Sequence, residues 1–372
     1  MKPLKILLTL ALAALLLPAP ARADDPDPSL ESVSAQLEAI ARTLDGFRHR
    51  LDGLEKKIDD GLWFDRLGDV AVIEKVRLYG PPRWKEKSET AIGAGNPVKF
   101  WAYVFLPRGI DTSQKAPLLV FPHGGVHSDF STYYVHIVRE MLAQGYCVVA
   151  PEYRGSTGYG RTVYENIDYG GLEVEDNHAC RQYMIDNYDF VDGGRVGMIG
   201  WSHGGLISLL NIFEHPDDYQ CAYAGVPVSD LIQRLGYLDE EYRALYYADY
   251  HIGQQVTDNI EEYKRRSPAF QAHKLETPLL IHTTTNDEDV NWLEVQHLIQ
   301  ALKAEGKDFE YEIYEDFPGG HSFDRLDTKG AREIRLKVYR FLAKHLDPPH
   351  PFQNEKQLHR GGYRMPTGRK GE

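Results

Sequence analysis

From Pro117 to about His345 the chain repeats one pattern: short apolar runs of strand length alternate with longer stretches of helical period. The order is PLLVFP, a helix over Tyr133 to Gln144, CVVAPEY, a helix near Glu173 to Asn187, RVGMIGWS, a helix from His203, and CAYAGVPVS. It continues with TPLLIHTT, a helix from Trp292 to Ala304, FEYEIYEDF and a last helix to about His345. A strand that is apolar on both faces must be covered on both faces, and strands separated by helices can be joined as parallel neighbours. The pattern therefore predicts an α/β fold with a mostly parallel central sheet and helices on both faces. Ahead of it, VAVIEKVRLY and VKFWAYVFLP are rich in β-branched and aromatic residues and read as a leading antiparallel pair. The charged, tyrosine-rich stretch at about 230–266 breaks the rhythm and reads as a helical lid insertion. With 372 residues, 42% of them hydrophobic, the chain can fill such a core.

The N-terminus has a different texture. Residues 1–23 carry Lys2 and Lys5, an apolar run from Ile6 to Leu17 and a small-residue end, Ala21-Arg22-Ala23. This is the layout of a cleaved signal peptide, with an apolar run shorter than the roughly 20 residues a membrane span needs. A secreted or periplasmic protein is expected, free of the membrane after cleavage. Loss of three basic residues and no acidic one would move the net charge from −13 to −16. So acidic a surface repels phosphates, and no nucleic-acid partner is expected. Cys147, Cys180 and Cys221 leave at least one thiol unpaired and permit one disulfide.

Over residues 24–62, Leu30, Val33, Leu37, Ile40, Leu44, Phe47, Leu51, Leu54 and Ile58 fall on alternating three- and four-residue steps, the a and d positions of a heptad repeat. Arg50 at g and Glu55 at the next e could pair between parallel chains. The segment reads as a coiled-coil helix, with homo-oligomerisation through residues 30–58. The α/β domain is then expected over 63–346, with a proline-, glycine- and charge-rich tail over 347–372 reading as disordered.

The chemistry is concentrated at strand ends. Gly200-Trp201-Ser202-His203-Gly204 is a G-x-S-x-G motif between a strand pattern and the helix pattern LISLLNIF. That is the context of a nucleophile elbow, in which the glycines allow a strained turn and close helix-to-strand packing. A hydroxyl needs a base, and the base needs an orienting acid, in the α/β-hydrolase order serine, acid, histidine. His321 follows the strand FEYEIYEDF in a glycine loop; the acid falls in NDEDV, where Asp287, Glu288 and Asp289 compete. The N–H of His203, next after the serine, and that of Gly125, in the loop after PLLVFP, would form the oxyanion hole. His123, His127 and His203 lack the spacing and the completing ligand of a metal site, so no metal and no cofactor is expected. Trp201, Tyr246 and Trp292 are candidate substrate-binding residues, and the tyrosines of the insertion pack as a lid.

AQGYCVVAPEYRGSTGYGR, GWSHGG, RRSPAFQAHKLETPLLIH and FPGGHSF together resemble the catalytic domain of the prolyl oligopeptidase family, closest to acylaminoacyl and dipeptidyl peptidases. The resemblance implies an α/β-hydrolase fold, Ser202 as nucleophile, His321 as base and Asp287, three residues before Val290, as acid. Thr283 replaces a glycine of the family pattern and the acid loop looks one residue longer, so Asp289 stays open. About 90 residues between the signal peptide and PLLVFP leave no room for the β-propeller such peptidases carry. The implied activity is cleavage of short peptides through an acyl-enzyme. A carboxylesterase using the same triad and an inactive hydrolase-fold scaffold are the alternatives.

Overall fold

The computed structural model describes residues 30–86 and 88–363. The signal-peptide segment and the last nine residues lie outside them. The chain divides into two units, up to Arg48 and from His49 onward.

Helix α1, Leu30–Leu67, crosses that division. It continues past the expected boundary at residue 62 because Trp63 and Leu67 bury themselves fully in the second unit's core. All nine seam residues from Leu30 to Ile58 are exposed. From His49 onward it is the b, c and f positions that are covered, Lys56 and Trp63 among them, so α1 docks with the face opposite its heptad seam.

The second unit is built on an eight-stranded sheet: β1 (Ala71–Pro82), β2 (Pro97–Pro107), β3 (Ala116–Val120), β4 (Cys147–Glu152), β5 (Val191–Trp201), β6 (Cys221–Gly225), β7 (Leu279–Thr284) and β8 (Glu310–Tyr314). Their spatial order is β1-β2-β4-β3-β5-β6-β7-β8. β2 pairs antiparallel with both β1 and β4, and the remaining neighbours are parallel. Period-two alternation splits each central strand between two cores. Leu118, Val120, Val149, Met198 and Ile281 face one, which is closed by helices α2 (Leu172–Asn187), α3 (His203–Glu214) and α4 (Trp292–Ala304). Leu119, Phe121, Val148, Ile199 and Trp201 face the other, which is closed by α1 and by helices over Val135–Ala143 and Lys329–Leu346. The α/β class, the mostly parallel sheet and the leading antiparallel pair agree with the sequence reading.

The stretch 230–266 is helical, as expected: it forms three short helices, Leu231–Tyr237, Glu240–Tyr247 and Ile260–Arg265, each with an Asp or Asn side chain capping its first N–H groups. The C-terminal segment corrects the sequence reading. The tail is ordered through Tyr363. Phe352 and Leu358 are buried in the second core, and Glu355–Gly361 is helical, which anchors a segment whose composition alone suggests disorder.

All three cysteines are free and buried, so no disulfide joins them.

Candidate active site

Ser202 stands between the end of β5 and the first turn of α3, with φ 59° and ψ −122°. A side chain at Gly200 would come within 2.2 Å of the Gly204 carbonyl oxygen, and one at Gly204 within 2.4 Å of the Pro122 carbonyl oxygen. These contacts explain the motif: the sharp turn presses strand, helix and the loop after β3 together, and only glycine fits. The N–H of Ser202 donates to Gly225 at 2.9 Å, and its carbonyl accepts from Leu206 at 3.1 Å and Val228 at 3.2 Å. The elbow is therefore fixed from β6 as well as from its own helix.

The loop after β3 lies against this elbow. Gly125 has φ +69° and is exposed, and its carbonyl accepts the Tyr153 hydroxyl at 3.1 Å. The His203 N–H belongs to the first turn of α3, where no intrahelical partner exists. His123 is buried, with Nε2 on Ser156 Oγ at 2.8 Å, and burial pushes its pKa down to about 3, so it stays neutral. The His203 side chain turns away from the opening; it is buried with Nε2 3.3 Å from Glu173 Oε1. His123, His127 and His203 therefore serve the loop and the core, each toward a different partner.

His321 follows β8 in a turn opened by Gly319 (φ +114°). Its Nδ1 lies 2.9 Å from both carboxylate oxygens of Asp287. Asp287 Oδ1 also accepts the N–H groups of Asp289 and Val290 at 2.9 Å each, so the backbone aims this carboxylate. Glu288 accepts the His321 N–H at 3.1 Å. Asp289 lies on the other side of the ring, half-exposed, with Oδ2 3.7 Å from Nε2 and Oδ1 3.1 Å from buried Arg234. No hydrogen bond joins Ser202 Oγ to His321 in this resting arrangement, so of the three residues the structure couples the acid to the base directly.

The three candidate substrate-binding residues are placed differently. Trp201 is 1% exposed, on the far face of the sheet from the first core, and donates Nε1–H to Asp324 at 2.7 Å. Adjacency to Ser202 in sequence put it in the second core, because neighbours on a strand face opposite ways. It is not a pocket wall. Tyr246 is buried against Tyr169 and His251, with ring centroids 4.9 and 5.3 Å apart, and Trp292 is half-buried at the start of α4. Tyr153, Glu173 and Asp324 support the site and escaped the sequence reading, since nothing in spacing marks a residue that acts through another.

Glu175, His178 and His215 bring their ligand atoms within 4.8 Å of one another at the opposite end of α3 from Ser202. The two imidazoles stack 3.8 Å apart, nearly parallel, and each Nε2 contacts a carboxylate, Asp218 at 2.8 Å and Glu175 at 3.0 Å.

An eight-stranded, mostly parallel sheet with a serine elbow after β5, an acid after β7 and a histidine after β8 is the arrangement of an α/β hydrolase. The Prolyl oligopeptidase family profile matches residues 132–349, and the chain belongs to that family. It is 28% identical over 237 residues to the Mus musculus acylamino-acid-releasing enzyme, covering 62% of this chain and 31% of that protein. It is 30% identical over 225 residues to Homo sapiens dipeptidyl peptidase 8, covering 58% and 24%. Among solved structures, a Mycobacterium tuberculosis puromycin-hydrolyzing peptidase aligns with a TM-score of 0.62 at 25% identity, over 74% of this chain and 39% of that one. A Pyrococcus horikoshii acylaminoacyl peptidase aligns with a TM-score of 0.61 at 20% identity, over 78% and 44%, a likeness of fold. The chain thus spans about a quarter to a third of the length of these curated relatives.

Proposed function

We propose that the protein is an exported serine peptidase that cleaves short peptides through an acyl-enzyme. The observation that carries the reading is His321 Nδ1 held 2.9 Å from both oxygens of Asp287, beyond the same sheet edge as a strained Ser202. The mechanism requires Nε2 to meet Ser202 Oγ in the substrate complex; such bonds are often long in enzymes without substrate. Ser202 Oγ attacks the scissile carbonyl and its proton passes to Nε2, while Asp287 steadies the imidazolium. The N–H groups of Gly125 and His203 receive the oxyanion. The amine leaves with the proton from Nε2, and water, deprotonated by the same nitrogen, releases the acid. Labelling with a fluorophosphonate and loss of labelling in Ser202→Ala test the nucleophile. A panel of aminoacyl and acyl-aminoacyl arylamides, puromycin and acyl esters then separates peptidase from esterase. Folded protein that takes no label would instead be a hydrolase-fold scaffold.

The reading extends to location and assembly. Residues 1–23 support export, tested by N-terminal sequencing of the protein recovered outside the cytoplasm. Nine exposed apolar seam positions support self-association through residues 30–58. Light scattering should show an oligomer that Leu37→Glu with Leu44→Glu reduces to monomer.

A further inference from the structure

The docked face of α1 grips the oxyanion loop. Lys56, at an f position, has its ammonium buried and 3% exposed. Nζ donates to the Phe130 carbonyl at 2.7 Å and to Asp129 Oδ2 at 2.8 Å, and it pairs with the fully buried Glu152. Glu152 in turn accepts the Phe130 N–H at 3.2 Å, and its Oε2 stands 3.8 Å from His123 Nε2. One turn along, Asp59 accepts the Thr132 N–H at 3.1 Å and the Thr132 hydroxyl at 2.5 Å, while Arg66 donates to the same hydroxyl oxygen at 2.9 Å. Trp63 stacks on Phe130 with centroids 5.5 Å apart. Residues 129–132, four to seven positions after Gly125, are thus held from the helix side. The opposite side is held by Thr157 N–H on the Ser128 carbonyl at 2.8 Å and by the contact of His127 Nδ1 with the Gly155 carbonyl at 2.8 Å.

Burying an ammonium is costly, and an apolar side chain would anchor a helix at lower cost. What the charge adds is direction: three fixed acceptors set where the loop backbone lies. We propose that Lys56 is a positioning residue that, through Phe130, Asp129 and Glu152, sets the place of the Gly125 N–H, so that the N-terminal helix completes the oxyanion hole. The proposal rests on the serine-hydrolase reading above.

Burial pushes Glu152 up to about 7 against the pull of Lys56, so a neutral glutamine is close to a form this side chain already takes. The test variant is therefore Lys56→Met with Glu152→Gln, which leaves no fully buried charge unpaired; the Asp129 carboxylate that loses its ammonium is part-exposed to water. Displacing an oxyanion donor costs about 10- to 100-fold in turnover, since a misplacement of about 1 Å can cost about 100-fold. With the full mature chain, the variant should hydrolyse p-nitrophenyl acetate with kcat lowered about 10- to 100-fold and KM within about twofold. Inhibition by phenylboronic acid, which forms a tetrahedral adduct, should weaken by a similar factor. Asp129→Asn, which removes the charge from one of the two loop acceptors of the ammonium and leaves the Phe130 carbonyl in place, should lower kcat several-fold and decides the matter if the double variant fails to fold. Folded variants that keep wild-type kcat and boronate inhibition overturn the proposal, and so does a loss of kcat in which KM rises equally. Wild-type protein that takes no fluorophosphonate label would overturn the hydrolase reading instead.

Discussion

The two aspartates beside His321 make the sharpest test. Asp287 is fully buried at the side chain and meets Nδ1 twice at 2.9 Å; Asp289 is 50% exposed and stands 3.7 Å from Nε2. When Ser202 passes its proton to the ring, the imidazolium and the Asp287 carboxylate are charges about 4 Å apart in a partly buried site. At an effective dielectric of about 20 that attraction is about 4 kcal/mol. Each 1.36 kcal/mol is a decade in rate, so Asp287→Asn should lower kcat by about 10³, more if the amide stabilises the wrong imidazole tautomer. Asp289 acts through a wetter gap and already pairs with Arg234, so Asp289→Asn should change kcat less than about tenfold. Steady-state kinetics on the best substrate from the panel, with active sites counted by fluorophosphonate, measures both. Equal losses, or a larger loss in Asp289→Asn, would refute the assignment of Asp287 and the electrostatic reasoning behind it.

Gly200→Ala places a methyl group 2.2 Å from the Gly204 carbonyl oxygen, so the elbow must open; soluble yield and melting temperature should both fall steeply. The three buried thiols should be invisible to Ellman's reagent in the native protein and give three equivalents on denaturation, because burial disfavours the thiolate of each. The Glu175 hydrogen bond raises His215 above its ordinary 6.5, and His215 lowers Glu175 below its ordinary 4.5. The raised histidine stabilises the fold below about pH 6.5 and stops doing so as pH rises through its folded value. The lowered glutamate does so above about pH 4.5 and stops as pH falls through its own. Glu175→Gln should therefore depress the melting temperature more at pH 5.5 than at pH 8.5; an equal change at both would refute the pairing.

The elbow was readable because its causes are local: a strand period, a helix period and glycines where backbones touch. His321 was readable for a similar reason, as a histidine in a glycine turn just after a strand. The choice between Asp287 and Asp289 was not, since they lie two residues apart and only the folded turn, with Asp287 capping the N–H groups of Asp289 and Val290, sends them to opposite sides of the imidazole. Trp201 was misplaced by treating nearness in sequence as nearness in space. The tail was misread because its two anchors, Phe352 and Leu358, are sparse among prolines and charges and matter only through the groove they fill. Lys56 and Asp59 fall on flank positions of the heptad, where spacing gives a residue no partner. Heptad spacing reports one face of a helix and says nothing of what the other touches.

That division of faces has a practical consequence. Leu51, Leu54 and Ile58 look outward from the same turns whose inner side carries Lys56, Asp59 and Trp63. A sister chain gripping the outer rail would sit about one helix diameter, about 10 Å, from the loop proposed to receive the oxyanion. Specific activity would then vary with protein concentration, and a simple dilution series would report whether chains have met, with no separation of species required.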